Sequence, residues 1–146
     1  MKTAIVYYSK HHGNTKKLLD AISAHYETTL IDASVTSEAD LTGYDAVGFA
    51  SGIYYSKFHK TVLQFAERCL PEGQKVFFLY TYGAEKKGYT EAITQVVARR
   101  GAKILGEYGC FGFNTFGPFR LIGGIAKGHP TAVETDGAVR FYAGLF

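Results

Sequence analysis

The chain has 146 residues, 47% hydrophobic and 15% aromatic, with 20% charged and a formal net charge of +3. That length and apolar content predict one domain over residues 1–146, with a packed core and no long disordered tail. No apolar run approaches the ~18 residues of a membrane span, the N-terminal run is too short for a signal-peptide core, and the basic residues Lys86-Lys87 and Arg99-Arg100 occur only as pairs. A membrane span, secretion and nucleic-acid binding are therefore set aside, and a cytoplasmic location is expected.

Thr3-Ala4-Ile5-Val6-Tyr7-Tyr8 predicts a first strand, and apolar residues at Leu18, Leu19, Ile22 and Tyr26 predict a helix behind it. Between them lies Ser9-Lys10-His11-His12-Gly13-Asn14-Thr15, rich in hydroxyls, with one glycine and no carboxylate. Ser9, Asn14 and Thr15 carry side-chain donors, and Gly13 tolerates positive φ. The helix start adds unpaired N–H groups and the positive end of its dipole. Such a turn suits a phosphate. An ordinary capped turn has the same ingredients, so the rest of the chain must decide.

Thr28-Thr29-Leu30-Ile31-Asp32 predicts a second strand and Tyr44 to Ala50 a third, small and apolar enough for burial on both faces. A loop from Ser51 to Phe58 leads to a helix with Val62, Phe65, Ala66, Cys69 and Leu70 at helical spacing, stopped by Pro71 and Gly73. Gln74 to Tyr80 is a fourth strand, and Thr81 to Gly88 a second loop. A helix carrying Tyr89, Ala92, Ile93, Val96 and Val97 follows, then a glycine-interrupted fifth strand from Lys103 to Phe111. A long loop from Gly112 to His129, rich in Gly and Phe, precedes a last helix, for which Thr131 and Glu134 have capping-box spacing. Cys69 and Cys110 sit in apolar settings without a CxxC pair and are expected to be buried reduced thiols.

This alternation predicts an α/β three-layer sandwich, a five-stranded parallel sheet in the order 2-1-3-4-5 with helices on both faces. In that order the chain reverses direction between strands 1 and 3, and ligands bind there, outside the carboxyl ends of the strands.

The loops after strands 1, 3 and 4 are polar and glycine-containing. Here the sequence resembles the flavodoxin family over essentially its whole length. Ile5-Val6-Tyr7-Tyr8-Ser9 with Gly13-Asn14-Thr15 is similar to the family's FMN phosphate loop, usually Ser/Thr-x-Thr-Gly-Asn-Thr; the bulkier Lys10-His11-His12 departs from it. The segment from Ala50 through Tyr54 and Tyr55 to His59 and Phe65 is similar to a flavodoxin-like branch that includes the menaquinone-dependent protoporphyrinogen dehydrogenases. The tail, Gly112 to Pro118 and Gly123 to Pro130, resembles short flavodoxin-domain proteins of anaerobic bacteria.

The resemblance implies FMN as the cofactor. Ser9, His11, Gly13, Asn14 and Thr15 would hold its phosphate, with Lys10 as a charge partner. Tyr54 and Tyr82 would wall the isoalloxazine in place of the family's tryptophan, while Tyr55 reads as a surface residue. Backbone N–H groups of Ser51, Gly52, Ile53 and Tyr54, and of Thr81, Tyr82 and Gly83, would meet the flavin edge. Carrier flavodoxins are strongly acidic, whereas this chain has Lys57, His59, Lys86 and Lys87 in or beside the flavin loops. A cation near N1 would make the potential less negative. Phe111, Phe113, Phe116 and Phe119 would form either an apolar apron or packing beneath the tail loop.

The implied function is FMN-dependent electron transfer between a reductase and an acceptor, with no catalytic side chain and no metal. The alternative is an oxidoreductase, either quinone-coupled and acting on a porphyrinogen or passing electrons from NAD(P)H to a small-molecule acceptor. A phosphoryl-accepting receiver domain has the same strand order, but needs acidic residues where this chain has Ser9-Lys10 and Ala50-Ser51. A dinucleotide fold needs a G-x-G-x-x-G turn that is missing after strand 1.

Overall fold

The computed structural model describes residues 1–10, 12–115 and 121–146. Among these residues the strands and helices run β1 (Thr3–Tyr8), α1 (Asn14–His25), β2 (Thr28–Asp32), β3 (Ala46–Tyr54), β4 (Lys57–Phe58), α2 (Lys60–Cys69), β5 (Lys75–Tyr82), α3 (Glu91–Ala98), β6 (Lys103–Phe111) and α4 (Ala132–Gly144). Five strands pair in parallel in the order β2-β1-β3-β5-β6. This is the expected order, with β5 and β6 standing where strands 4 and 5 were predicted.

Two details differ from expectation. The sheet has a sixth strand, because β4 folds back antiparallel on β3, pairing Ile53 with Phe58 and Tyr54 with Lys57. And β3 and β5 run past their predicted ends at Ala50 and Tyr80. The β3–β5 ladder continues through Ser51↔Tyr80 and Gly52↔Thr81, so those candidate site residues are strand ends, not loop. Backbone pairing with a neighbouring strand extends an element beyond where local residue preferences stop it.

Alternation along the strands explains the two cores. Val6, Phe49 and Phe78 face α2 and α3 and pack with Val62, Phe65, Ile93 and Val97. Their chain neighbours Ile5, Ala50 and Phe77 face the other way, against Leu18, Leu19 and Ile22 of α1 and Ala138 and Tyr142 of α4. Burial on both faces is why the central strands read as continuous apolar runs. Gly48 is required by this packing, since a Cβ there would lie 2.5 Å from the ring of Phe77. The predicted capping box is present at α4, with Thr131 and Glu134 bonding reciprocally. Cys69 is half-buried and Cys110 buried, both free; burial pushes the Cys110 thiol up to about 12, which leaves it an inert thiol.

Candidate functional site

The site lies where the sheet's order places it, at the carboxyl ends of β1, β3 and β5. Gly13 takes φ 65 at the N-cap of α1, a conformation that favours glycine, and turns the chain from β1 into the helix. The first turn of α1 carries no acidic residue. Its N–H groups at Asn14 and Thr15 have no intrahelical acceptor. Ser9 Oγ accepts from Lys16 N at 2.9 Å and so caps the helix from outside, with its own proton still available to donate.

Buried polar bonds tie this loop to the neighbouring strands. Thr15 Oγ1 and Thr81 Oγ1 share a bond of 2.8 Å between α1 and the end of β5. Asn14 Nδ2 donates to the Phe113 carbonyl at 2.7 Å, and His12 Nε2 meets Thr115 Oγ1 at 2.9 Å. The tail after β6 is thereby fastened over the first loop. It is braced from below as well: Gly112 N donates to Tyr82 O, and Asn114 and Ile125 exchange backbone bonds.

The cleft so formed is lined by Ser9, Asn14, Thr15, Gly52, Ile53, Tyr54, Thr81, Tyr82 and Gly83, all expected from the sequence, and by Gly112 and Asn114, which were not. None of these side chains is charged. Gly13 shapes the loop from behind. Ser51 is fully buried below the cleft, where its hydroxyl donates to Gly52 O and accepts from His59 N. Lys10 is exposed and turned to Asp32, 4.0 Å away, instead of into the cleft. His11, Phe116 and Phe119 lie outside the described residues. Gly112 and Asn114 escaped the sequence reading because β6 is the far edge strand, and only the folding back of the tail brings them to β1. The one available sign was the polar, glycine-bounded start of that tail.

Tyr54 reaches the cleft beyond both parallel ladders, since β1 pairs with β3 only as far as Ser51 and β5 only as far as Gly52. Tyr82 stands on the other side, held edge-on by Phe111 at 4.9 Å. Burial, then the nearby Glu85, raises the Tyr82 phenol, so it stays neutral at physiological pH. The interior free volume is only about 20 Å³. Two side chains explain the narrowness: the Tyr54 ring folds over Gly52, and Asn114 lies against Gly83.

The residues suit a flavin mononucleotide. The phosphate end offers a hydroxyl, a helix N-terminus and no carboxylate. Beside it, Asn14 Oδ1 is buried with no hydrogen-bond partner among the described residues, an acceptor placed for a sugar hydroxyl. The other end is walled by Tyr54 and Tyr82, and glycines keep the cleft open: a Cβ at Gly83 would sit 2.8 Å from Asn114, and one at Gly112 2.7 Å from Asn14 Nδ2.

Fold and site together define an FMN-type electron-transfer flavoprotein. The chain belongs to the flavodoxin-domain family, whose pattern matches residues 5–112. It is 33% identical over 143 residues to an uncharacterized protein of Methanocaldococcus jannaschii, covering 97% of this chain and 95% of that one. Its fold is that of oxidised flavodoxin 1 from Bacillus cereus (TM-score 0.67, 15% identity, 99% and 97% of the two chains). The same fold occurs in rubredoxin oxygen:oxidoreductase of Desulfovibrio gigas (TM-score 0.71, 13% identity), where this chain covers 99% of itself and 35% of the larger protein. Among the described residues no helix is long and apolar enough to cross a membrane.

Proposed function

We propose that this chain is a single-domain, cytoplasmic electron carrier that binds FMN and passes electrons between a reductase and an acceptor. The observation that carries the reading is the uncharged cleft at the β1–β3 switch point, polar at one end and aromatic at the other.

In this reading the Ser9 hydroxyl and the N–H groups of Asn14 and Thr15 bind the phosphate, with Gly13 shaping their loop. Lys10, four ångströms from Asp32, contributes long-range charge only. Asn14 Oδ1 accepts from the ribityl chain. Tyr54 and Tyr82 wall the ring, and the backbone of Ser51 to Tyr54 and Thr81 to Gly83 meets its edge. Bound FMN supplies the redox chemistry. The chain's own residues bind it, exclude water and set the surrounding charge. Seating the ring requires Tyr54 and Asn114 to swing outward, because they fill the slot between Gly52 and Gly83. The phosphate end needs no such movement, since its side chains are already held by internal bonds.

The charge nearby is not that of an acidic carrier. Lys57 on β4 and Lys86 and Lys87 on the loop after β5 are exposed, Glu85 is the one carboxylate beside them on that loop, and no carboxylate lines the cleft. A less negative potential for the anionic reduced cofactor is expected than in a carboxylate-ringed site.

The visible spectrum of the purified protein, followed through anaerobic reduction, tests the reading. A yellow protein that releases FMN on denaturation and is reduced in two one-electron waves is the expected result. A colourless protein that takes up no added FMN would overturn it. Reduction in a single two-electron step would transfer the assignment to an oxidoreductase.

A further inference from the structure

A second cleft lies beside the first and shares its Tyr54 wall. It is an open groove bounded by Tyr8, Tyr54, Tyr55, Lys57, His59 and Lys60, with a volume of about 490 Å³. That lies within the 300–1,000 Å³ typical of small-ligand sites. We propose that this cleft is a binding site for a planar aromatic anion, an aromatic carboxylate or sulfonate.

Its walls are aromatic. The rings of Tyr8 and His59 stack at 3.7 Å and 5°. Tyr54 stands edge-on to both, at 5.6 Å and 80° from Tyr8 and at 5.1 Å and 85° from His59. His59 is held from both ends: its backbone N–H donates to Ser51 Oγ, and its Nδ1 accepts from Thr61 N at 3.2 Å. An accepting Nδ1 puts the neutral ring's proton on Nε2, and that N–H has no acceptor among the described residues. Burial, then the charge on Lys60, lowers the His59 pKa and keeps the ring in this neutral form.

The charge of the cleft is one-sided. Lys57 and Lys60 are exposed on its rim, and neither has a carboxylate within ion-pair distance among the described residues. No carboxylate lines the cleft either. Two ammonium groups, one N–H donor and a set of ring faces complement a flat anion.

The turn at its lip points the same way. Tyr55 and Ser56 both take positive φ, 51 and 66, in the two-residue connection between β3 and β4. Such a turn usually carries Asn-Gly, because L side chains are strained there. Tyr55 is 82% exposed at the edge of the cleft. Strained backbone persists where the surrounding structure enforces it, and it clusters at ligand sites.

Anthraquinone-2,6-disulfonate is a suitable probe, followed by amide NMR shifts and calorimetry on the whole chain, with and without added FMN. The expected result is saturable binding with shifts centred on residues 54–60. The double variant Lys57→Glu, Lys60→Glu should weaken it at least tenfold, and Tyr55→Ser severalfold, without unfolding, since all three side chains are exposed. Cyclohexanesulfonate, charged but not aromatic, should bind at least tenfold more weakly. Shifts confined to residues 9–15 and 81–83 would overturn the proposal, as would equal binding of cyclohexanesulfonate. So would poly-glutamate moving residues 54–60 while the aromatic anion does not, which would make this a macromolecular docking face. The claim does not rest on the cofactor reading: FMN failing to shift residues 9–15 defeats that reading and leaves this one standing.

Discussion

The loop after β1 and the hairpin after β3 leave adjacent strands on the same edge of the sheet, yet they are held by opposite means. The first is pinned by buried hydrogen bonds: Ser9 to Lys16, Thr15 to Thr81, Asn14 to Phe113. Its left-handed positions are His12 and Gly13. The second is pinned by stacked rings and by the buried Ser51 hydroxyl, and its left-handed positions are occupied by Tyr55 and Ser56. The difference teaches where preorganisation lies. A phosphate needs directed donors held still, and polar bonds to neighbouring elements hold them. At the other end the cleft is closed by side chains, Tyr54 over Gly52 and Asn114 against Gly83, which in the proposed reading move to admit the ring.

The sharpest way to break this contrast is a charge in the pinned loop. Asn14→Asp puts a carboxylate against the Phe113 carbonyl and, in the proposed reading, near the cofactor phosphate, and should weaken FMN binding on the order of 100-fold, a few kcal/mol of like-charge repulsion. Quenching of FMN fluorescence measures it, and an unchanged affinity would remove the phosphate from this loop. Next comes the Thr15–Thr81 bond. Thr15→Val strands a buried hydroxyl and should cost ~1–3 kcal/mol in urea unfolding, whereas Thr15→Val with Thr81→Val should cost less than the single change. Additive losses would show that the pair is no bond at all.

The hairpin should respond in the opposite direction. Ser56→Gly relieves a left-handed residue, worth roughly 1–2 kcal/mol, against the ~0.5–1 kcal/mol that glycine loses in chain entropy. A net stabilisation of up to ~1 kcal/mol is expected from the shift in urea midpoint. A destabilisation would mean that the serine itself contributes to the turn.

The smallest effects are those of pH. Burial by itself raises the Glu134 carboxyl, but bonds from Thr131 and His129 outweigh it and hold it below its ordinary 4.5. Its stabilisation is therefore present above about pH 4.5 and lost as pH falls through the lower folded value. Glu134→Gln should flatten that acid limb. His59, lowered from 6.5, contributes in the same sense at higher pH: its stabilisation is complete above about pH 6.5 and lost as pH falls below it. His59→Gln should remove that slope between pH 5 and 7, and an unaltered slope would show that the ring titrates freely.

Much of the fold and part of the site were legible beforehand. Tyr7, Gly13 and Asn14 mark a strand, a turn and a helix start by local chemistry, and the apolar spacing of Val62, Phe65 and Ala66 marks a helix face. Ser51 and Thr81 read as loop residues from the sequence, because their own preferences give no sign of the ladder that extends β3 and β5 to them. Proximity in sequence sets Lys10 beside the phosphate, whereas in the fold its side chain turns to Asp32.

The sequence by itself determined the alternation of elements, the strand order and the switch point, because periodicity and turn residues act over a few positions and right-handed connection does the rest. Only the tertiary structure decided what closes the site. Asn114 reaching Gly83, Phe113 receiving Asn14, and Tyr54 serving two clefts at once join residues 31, 99 and as many as 46 positions apart. Contacts over such separations follow from how packed layers bring strand ends together, and no local pattern encodes them.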